Sequence, residues 1–340
     1  MNTTTQNNPD HENAWQNAAA LSPADVTAIV IGRNEGERLM RCLHSLLPQV
    51  GKVIYVDSGS TDGSAERAIA LGAEVVQLDM TRPFTAARAR NAGLARLGTA
   101  EFVQCVDGDC EVEQGWIATA LRALAADPRL AVVAGRRREL HPEVSIYNRL
   151  CDAEWNTPIG PARAVGGDML ARCAALAEVG GYDPGLIAGE EPEMCLRLIR
   201  AGWNIRRLDA PMTIHDAAMT RFGQWSRRTR RAGHAFAEVS WRYRDGPEGF
   251  WKRETRRALI WAVALPLLIL LGALLTPWVW LLLLAYPLQI ARMALRDPEA
   301  KDRWPRAFYT MLGKFPEARG VLEFHLRRLA GRRSELIEYK

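Results

Sequence analysis

The chain has 340 residues, of which 48% are hydrophobic, and it carries 44 Lys and Arg against 39 Asp and Glu. This size allows one large α/β domain with attachments, or two domains. The charge is uneven, because residues 1–218 carry 21 basic and 28 acidic side chains whereas residues 219–340 carry 23 and 11. The acidic first part argues against a nucleic-acid-binding catalytic face. The basic second part predicts attraction to an anionic surface, either a membrane or a nucleic acid.

The six cysteines form no CxxC pair and have no zinc-type spacing, which favours buried thiols in a reducing compartment. Residues 1–22 are polar and lack the basic-then-apolar pattern of a signal peptide. We expect them to form a mobile N-terminal tail ahead of a domain at 23–217.

Short apolar runs alternate with helical patterns through the first part of the chain. The runs that predict buried strands are 26–31, 53–56, 75–78, 102–107 and 130–134. Helices are expected between them, the first opened by an Asn34–Glu37 capping box. This alternation is typical of parallel β-α-β units with helices on both faces of the sheet.

Polar residues follow three of these strands directly. Glu35 and Asp57 come after the first two, and Asp107-Gly108-Asp109 ends the fourth. Ligands of such sheets bind beyond the carboxyl ends of the strands. Two carboxylates held side by side favour a hard divalent cation such as Mg²⁺ or Mn²⁺, although an Asp-Gly turn explains the same residues. The shared edge favours a metal-assisted nucleotide-diphosphate site over three independent turns.

A second chemical centre is indicated at Glu190, Glu191 and Pro192, where a short helix is expected to begin, with Pro192 at its first position. A carboxylate there is either a simple helix-terminus charge or a general base. His215, after a strand-like run, is either structural or a ligand that completes a carboxylate metal site. Residues 136–165 show little periodicity and are expected to be irregular beside the cleft.

Seven short motifs follow one another along the chain, namely IVIGRNE (29–35), VDSGSTDGS (56–64), ARNAG (89–93), DGD (107–109), GGDM (166–169), VGGYD (179–183) and GEEPE (189–193). Together they resemble the family 2 glycosyltransferases, which have the GT-A fold. They cover residues 25–216, so the resemblance implies a GT-A domain with a mostly parallel, Rossmann-like sheet.

The resemblance also implies site residues. Those expected to bind the nucleotide sugar are Glu35, Asp57, Arg90 and Asp107. Those expected to hold Mg²⁺ or Mn²⁺ are Asp109, His215 and Asp107. Those expected on the acceptor side are Gly167, Asp168 and Trp155. The base position maps onto Glu191; because a Glu stands where the family has an Asp, Glu190 and Glu193 are the alternatives.

Two features bear on the acceptor. The Gln-x-x-Arg-Trp segment of processive members is not matched at 224–231, which favours transfer of a single sugar. Residues 258–291 carry no charge and break at Thr276-Pro277, which predicts a membrane hairpin of 258–275 and 278–291; one long tilted helix is the alternative. Residues 218–257, rich in Arg and aromatic side chains, are expected to form interfacial helices, and 292–340 a basic helical tail.

These features predict an inverting, metal-dependent glycosyltransferase that moves a sugar from a nucleotide-diphosphate sugar, of which UDP-sugars are favoured, to a hydroxyl of a lipid-linked or cell-envelope glycan. Two alternatives are a polyprenyl-phosphate glycosyltransferase, whose acceptor needs no base, and an inactive nucleotide-sugar-binding scaffold. The expected partners are the donor, the acceptor and a membrane, with no nucleic acid. The expected location is the cell inner membrane with the catalytic domain facing the cytoplasm.

Overall fold

The computed structural model describes residues 22–296, 298, 300–332 and 337, and these divide into two compact units. Residues 22–140, 151–185 and 190–217 form the first, which we call the sheet unit. Residues 141–150, 186–189 and the described residues from 218 onward form the second, the helical unit. Apart from Ser22, the predicted N-terminal tail lies outside the described residues, as does most of 333–340.

One mixed sheet organises the sheet unit. Its described strands are β1 (Val26–Gly32), β2 (Lys52–Asp57), β3 (Glu74–Gln77), β4 (Phe102–Asp107), β5 (Cys110–Val112), β6 (Leu130–Glu139), β7 (Gly160–Pro161), β8 (Met169–Arg172) and β9 (Asn204–His215). Their order is β3-β2-β1-β4-β8-β6-β9-β5, with β7 paired to β9. The carboxyl ends of β1, β2 and β4 therefore lie on neighbouring parallel strands, as the sequence predicts.

The parallel pattern changes after β4. Strand β8 is inserted antiparallel between β4 and β6, and β6 then pairs in parallel with β9. Strand β6 reaches Glu139, five residues beyond its predicted end, and β9 is a long strand where the sequence indicates only its last residues. The expectation that residues 136–165 are irregular is wrong in two places. Residues 136–139 extend β6, and Ile146–Trp155 form a helix.

Seven described helices lie between residues 37 and 200, namely α1 (Glu37–Leu46), α2 (Ser64–Ala70), α3 (Ala86–Leu94), α4 (Trp116–Ala126), α5 (Ile146–Trp155), α6 (Cys173–Glu178) and α7 (Glu190–Arg200). All of them except α5, which falls in the stretch expected to be irregular, begin close to their predicted positions. The Asn34 cap is wrong, because Asn34 has φ 55° and α1 begins after Gly36 without a side-chain cap. Pro192 is the third residue of α7, not the first.

Two apolar cores cover the two faces of the sheet. Successive strand residues point to opposite faces, so Ala28 and Val30 belong to one core and Ile29 and Ile31 to the other. The first core includes Trp116, whose indole Nε1 donates to Gln104 Oε1 at 2.9 Å. A sheet buried on both faces is rigid, so the loops at its carboxyl edge start from fixed points.

The helical unit contains α8 (Phe222–Arg242), α9 (Lys252–Leu259), α10 (Leu265–Gly272), α11 (Ala285–Leu295), α12 (Arg303–Leu312) and α13 (Lys314–Leu329). Helices α8 and α13 pack at close range through two glycines. A Cβ on Gly233 would lie 2.1 Å from Glu317 O, and one on Gly320 would lie 2.0 Å from Arg230 O. Only glycine permits this approach of two backbones.

Two helices of this unit are long and apolar enough to cross a membrane. Helix α9 continues through a π-helical turn into α10, giving Lys252–Gly272, and a 3₁₀ segment continues into α11, giving Pro277–Leu295. They have 21 and 19 residues, about the length that spans a hydrocarbon core. Large side chains of both helices are exposed, with Leu271 at 64% and Trp278 at 75%. The predicted break before Pro277 is present, so the single uninterrupted helix is wrong.

Candidate active site

The loops that follow β1 and β2 are joined by hydrogen bonds. Asn34 N donates to Ser60 Oγ at 2.9 Å, and Thr61 N donates to Asn34 Oδ1 at 2.7 Å. Gly36 N donates to Asp62 Oδ2 at 3.0 Å. These bonds occupy the Asn34 side chain across the loops, which explains why it does not cap α1.

Asp57 ends β2 as a buried carboxylate with both oxygens engaged. Its Oδ1 accepts from the Tyr55 hydroxyl at 2.9 Å, and its Oδ2 accepts from Gly59 N and Ser60 N at 3.2 and 3.0 Å. Glu35, which is also predicted to bind the nucleotide sugar, pairs with Arg38 of helix α1 at 2.7 Å. The carboxylate of Asp57 is thereby fixed in one orientation at the mouth of the sheet.

Arg90 connects the two chemical centres that the sequence indicates separately. Arg90 is 2% exposed; its Nη2 lies 2.8 Å from Asp107 Oδ1, and its Nη1 lies 2.6 Å from Glu191 Oε1 and 3.3 Å from Glu190 Oε1. One cation on α3 thus holds the end of β4 beside the start of α7. A buried cation is tolerated when it is paired in this way.

Glu191 has the protonation properties of a general base. Burial raises its pKa to about 7, neighbouring Glu190 contributes to the rise, and Arg90 opposes it. A base is most effective when its pKa lies near the working pH. Glu190 is the more buried of the two, with a side chain 5% exposed against 12% for Glu191.

Asp109, which follows β4, lies close to His215, the last residue of β9. His215 Nε2 lies 3.3 Å from Asp109 Oδ2, and donor atoms of Asp109, Cys110 and His215 lie within 4.8 Å of one another. Burial and the nearby Arg137 lower the pKa of His215, so its imidazole is neutral at neutral pH. Burial raises the pKa of the Cys110 thiol, which therefore stays protonated. Carboxylate oxygens and a neutral imidazole suit Mn²⁺ or Mg²⁺.

Asp168 is a buried residue in contact with the end of β4. It is 1% exposed, and its carboxylate accepts from Asp107 N at 3.2 Å and from the Thr213 hydroxyl at 2.7 Å. These bonds brace the end of β4 against β9. The neighbouring Gly167 leaves room for Arg90, because a Cβ there would lie 2.3 Å from Arg90 Nη2.

Two site residues on β6 are absent from the sequence prediction. Arg137 lies 3.5 Å from Asp107 Oδ2 and 3.4 Å from Asp168 Oδ2, and its guanidinium carbon is 4.8 Å from the Trp155 ring centroid. Glu139 Oε2 lies 3.6 Å from His215 Nδ1. Both point to the site because they are two residues apart on one strand. The apolar run stops at Ala134, so no sequence signal extends the strand to them.

The sequence of residues 27–165 matches glycosyl transferase family 2. This stretch is a family 2 glycosyltransferase domain. The match includes Asp57, Arg90 and the Asp107–Asp109 pair and ends before α7 begins. The resemblance drawn from the motifs is therefore confirmed.

The chain is similar to proteins of two bacteria and to a solved archaeal structure. A pre-mycofactocin glycosyltransferase of Mycobacterium tuberculosis is 29% identical over 236 residues, 66% of this chain and 49% of the relative. A TPR repeat-containing protein of Synechococcus elongatus is 32% identical over 136 residues, 40% of this chain and 32% of that protein. The chain thus spans about half or less of the length of these relatives.

The solved structure is a mannosyltransferase from Pyrobaculum calidifontis in complex with GDP-Man and Mn²⁺. It has a TM-score of 0.60 at 19% identity, covering 92% of this chain and 96% of that one. This likeness confirms the predicted fold class, a GT-A domain followed by helices that include two apolar ones.

The sheet unit brings most of the predicted site residues together. Asp107, Arg90, Glu190 and Glu191 are joined by ion pairs, and Asp109 meets His215. Trp155 packs edge-on against His215, with ring centroids 4.8 Å apart. Asp57 stands apart from this group, because β2 is separated from β4 by β1.

Proposed function

We propose that the chain is an inverting, metal-dependent glycosyltransferase that moves one sugar from a nucleotide-diphosphate sugar to a hydroxyl of a lipid-linked or cell-envelope glycan. The observation that carries this proposal is the Arg90 bridge. It holds Glu191, with a pKa of about 7, beside the strand end that bears Asp107 and Asp109. The proposed base at the start of α7 and the acidic residues at the end of β4 therefore lie side by side.

The donor would lie along the carboxyl edge of the sheet. Asp57, with its fixed orientation, would face the nucleotide base and Asp107 the ribose. Asp109 and His215 would hold Mn²⁺ or Mg²⁺, since their donor atoms suit such a cation. When bound, the cation would offset charge on the leaving nucleoside diphosphate. The Pyrobaculum neighbour was solved with GDP-Man and Mn²⁺, which supports a nucleotide sugar and a divalent ion without selecting UDP over GDP.

Glu191 would act on the acceptor. Its carboxylate accepts the proton of the acceptor hydroxyl as that oxygen bonds to the anomeric carbon of the sugar, while the bond from that carbon to the diphosphate oxygen breaks on the opposite side. The attack inverts the configuration, and Glu191 ends protonated. Arg90 would keep Glu191 in place and favour its charged form at the start of the step.

The other residues would shape the site. We assign Asp168 to bracing, because its carboxylate is occupied by Asp107 N and Thr213. Trp155 and Gly167 would line the acceptor side. The apolar helices 252–272 and 277–295 favour an acceptor carried by a membrane lipid and an inner-membrane enzyme with its family 2 domain in the cytoplasm.

A donor screen tests this function. The purified full chain is incubated with UDP- and GDP-sugars, Mn²⁺ or Mg²⁺, and polyprenyl-linked acceptors, and products are identified by mass spectrometry. Transfer that is lost in Asp109→Ala and in Glu191→Gln supports the proposal. Transfer that survives Glu191→Gln on a phosphate acceptor indicates the polyprenyl-phosphate reaction. Donor binding without transfer or hydrolysis for every donor indicates the inactive scaffold.

A further inference from the structure

We propose that Glu139 is a positioning residue for the metal centre, holding His215 so that its Nε2 faces the cation beside Asp109. This inference rests on the proposed metal-dependent function. It assigns a role to a buried carboxylate that the sequence pattern does not indicate.

The strand register places Glu139, His215 and Cys110 side by side on three adjacent strands. His215 ends β9, where it is paired with Glu139 of β6 on one side and with Cys110 of β5 on the other. Asp109 immediately precedes Cys110, and Asp216 N donates to Asp109 O at 3.1 Å. The backbone of three adjacent strands therefore fixes the imidazole between two carboxylates.

The side-chain geometry follows from this register. His215 Nε2 lies 3.3 Å from Asp109 Oδ2, and Nδ1 lies 3.6 Å from Glu139 Oε2. Both carboxylates are sequestered, with Asp109 2% and Glu139 0% exposed at the side chain. The separation from Glu139 is just beyond a hydrogen bond, and in the described structure Nδ1 has no other acceptor within bonding distance.

An imidazole that binds a cation through Nε2 must carry its proton on Nδ1. That N–H is buried here, and a buried donor without an acceptor is costly. Glu139 is the acceptor in position. Metal-bound histidines regularly donate their second N–H to a carboxylate, which fixes the tautomer and the ring orientation.

Glu139 is itself held in place. Its backbone N donates to Asp152 Oδ1 at 3.0 Å, and its Oε2 accepts from Ala217 N at 3.2 Å. The Trp155 ring, nearly perpendicular to the imidazole at a centroid distance of 4.8 Å, also limits rotation of His215. These contacts explain why a buried glutamate stands at the end of β6, five residues beyond the apolar run that predicts this strand.

The chain contains a matched control. In the helical unit, His234 Nδ1 lies 3.5 Å from Glu238 Oε2, and both side chains are buried. This pair has the same chemistry and is absent from the clusters of metal-ligating side chains found among the described residues. Glu238→Gln therefore measures the general cost of altering a buried His–Glu pair.

The test uses the purified full chain and Mn²⁺, alone and with UDP or GDP. Mn²⁺ affinity is measured by EPR titration, and pulsed EPR detects whether a nitrogen is bound to the ion. Wild type is expected to show a histidine nitrogen that Asp109→Ala weakens and His215→Ala removes. Glu139→Ala is expected to lower Mn²⁺ affinity about 10- to 100-fold. Glu139→Gln, which keeps an acceptor oxygen, should lose less, and Glu238→Gln nothing.

The outcomes separate the two proposals. Wild type that binds no Mn²⁺ under any condition overturns the metal-dependent function and this inference together. Mn²⁺ binding without a nitrogen signal overturns the positioning role alone. The same conclusion follows if both Glu139 variants keep the wild-type Mn²⁺ affinity and the wild-type nitrogen signal. Circular dichroism identifies a misfolded Glu139→Ala, in which case the comparison of Glu139→Gln with Glu238→Gln decides.

Discussion

Arg90 Nη1 lies 2.6 Å from Glu191 Oε1, and the same guanidinium lies 2.8 Å from Asp107 Oδ1 through Nη2. This ion pair joins a residue on α3 to the first turn of α7. Its consequence is electrostatic, because the two acids at the start of α7 would otherwise repel each other in a buried place. Arg90 offsets part of the rise in the pKa of Glu191 that burial and Glu190 produce.

The first prediction concerns pH. Burial raises the pKa of Glu191 to about 7, and a general base works only when deprotonated. The kcat/KM for transfer to a hydroxyl should therefore rise with pH and level off above about 7. Glu191→Gln should lower kcat by about 10²- to 10⁴-fold and remove this rising limb of the pH profile. Steady-state rates between about pH 5.5 and 9, a range that brackets this pKa, measure both effects.

Glu190→Gln is the informative partner in that experiment. It removes a negative neighbour, so the pKa of Glu191 should fall and the rising limb should move to lower pH while activity remains. A limb that disappears in Glu190→Gln and stays in Glu191→Gln would reverse the assignment of the base.

The sequence predicts the first half of the sheet well, for a physical reason. Strands β1, β2 and β4 are buried on both faces, so their sequences are mostly apolar, as in Ala28-Ile29-Val30-Ile31 of β1. The polar residues that directly follow such a run must lie at the edge of the sheet. For this reason the sequence alone locates Asp57, Asp107 and Asp109 at that edge.

Strand β9 and the end of β6 are not predictable in the same way. Strand β9 contains Arg206, Arg207 and Pro211, and Arg207 is buried although it is charged. Its pairing partners on β6 are distant in the chain, so no local pattern reports them. Glu139 and Arg137 join the site only because these two strands pair. The contacts of Arg90 with both acidic centres are likewise set by tertiary packing.

The second prediction concerns Gly167. A Cβ there would lie 2.3 Å from Arg90 Nη2 and 3.1 Å from both Asp107 carboxylate oxygens. Gly167→Ala should therefore push the ion pair apart and lower kcat/KM by about 10²-fold, since small displacements of catalytic groups have effects of this size. Gly166→Ala is the control, because its Cβ would meet nothing within 4 Å. Equal activities for the two variants would show that the close approach at Gly167 is unimportant.

The third prediction concerns the packing of α8 on α13. Gly233→Ala would place a Cβ 2.1 Å from Glu317 O, so the helices must separate. We expect a loss of about 1–3 kcal/mol in the free energy of unfolding, as is usual for overpacking. Gly223→Ala on the same helix would meet only Arg227 Nη1 at 3.6 Å and should be neutral or stabilising. Denaturant unfolding followed by circular dichroism compares them. A Gly233→Ala protein as stable as Gly223→Ala would contradict the glycine contact.

The fourth prediction concerns the apolar helices. Leu268 and Leu271 lie in the first of them and are 57% and 64% exposed. If this helix enters a bilayer, replacing both with Arg should cost about 2.5–3.5 kcal/mol per residue and release protein from membranes during carbonate extraction. Ile69→Arg, at a similarly exposed apolar residue of the sheet unit, should leave the membrane fraction unchanged.

The same helices predict a topology. The helical structure is interrupted between Gly272 and Pro277, so two membrane crossings would return the chain to the side from which it started. Arg253, Arg256 and Arg257 in the first turns of the first helix and Arg292 and Arg296 at the end of the second favour the cytoplasm for both ends. Reporters fused at Met1 and at Lys340 should therefore give the same side. Reporters on opposite sides would require one of the two helices to lie outside the membrane, and the carbonate-extraction result for Leu268 and Leu271 would then identify whether it is the first.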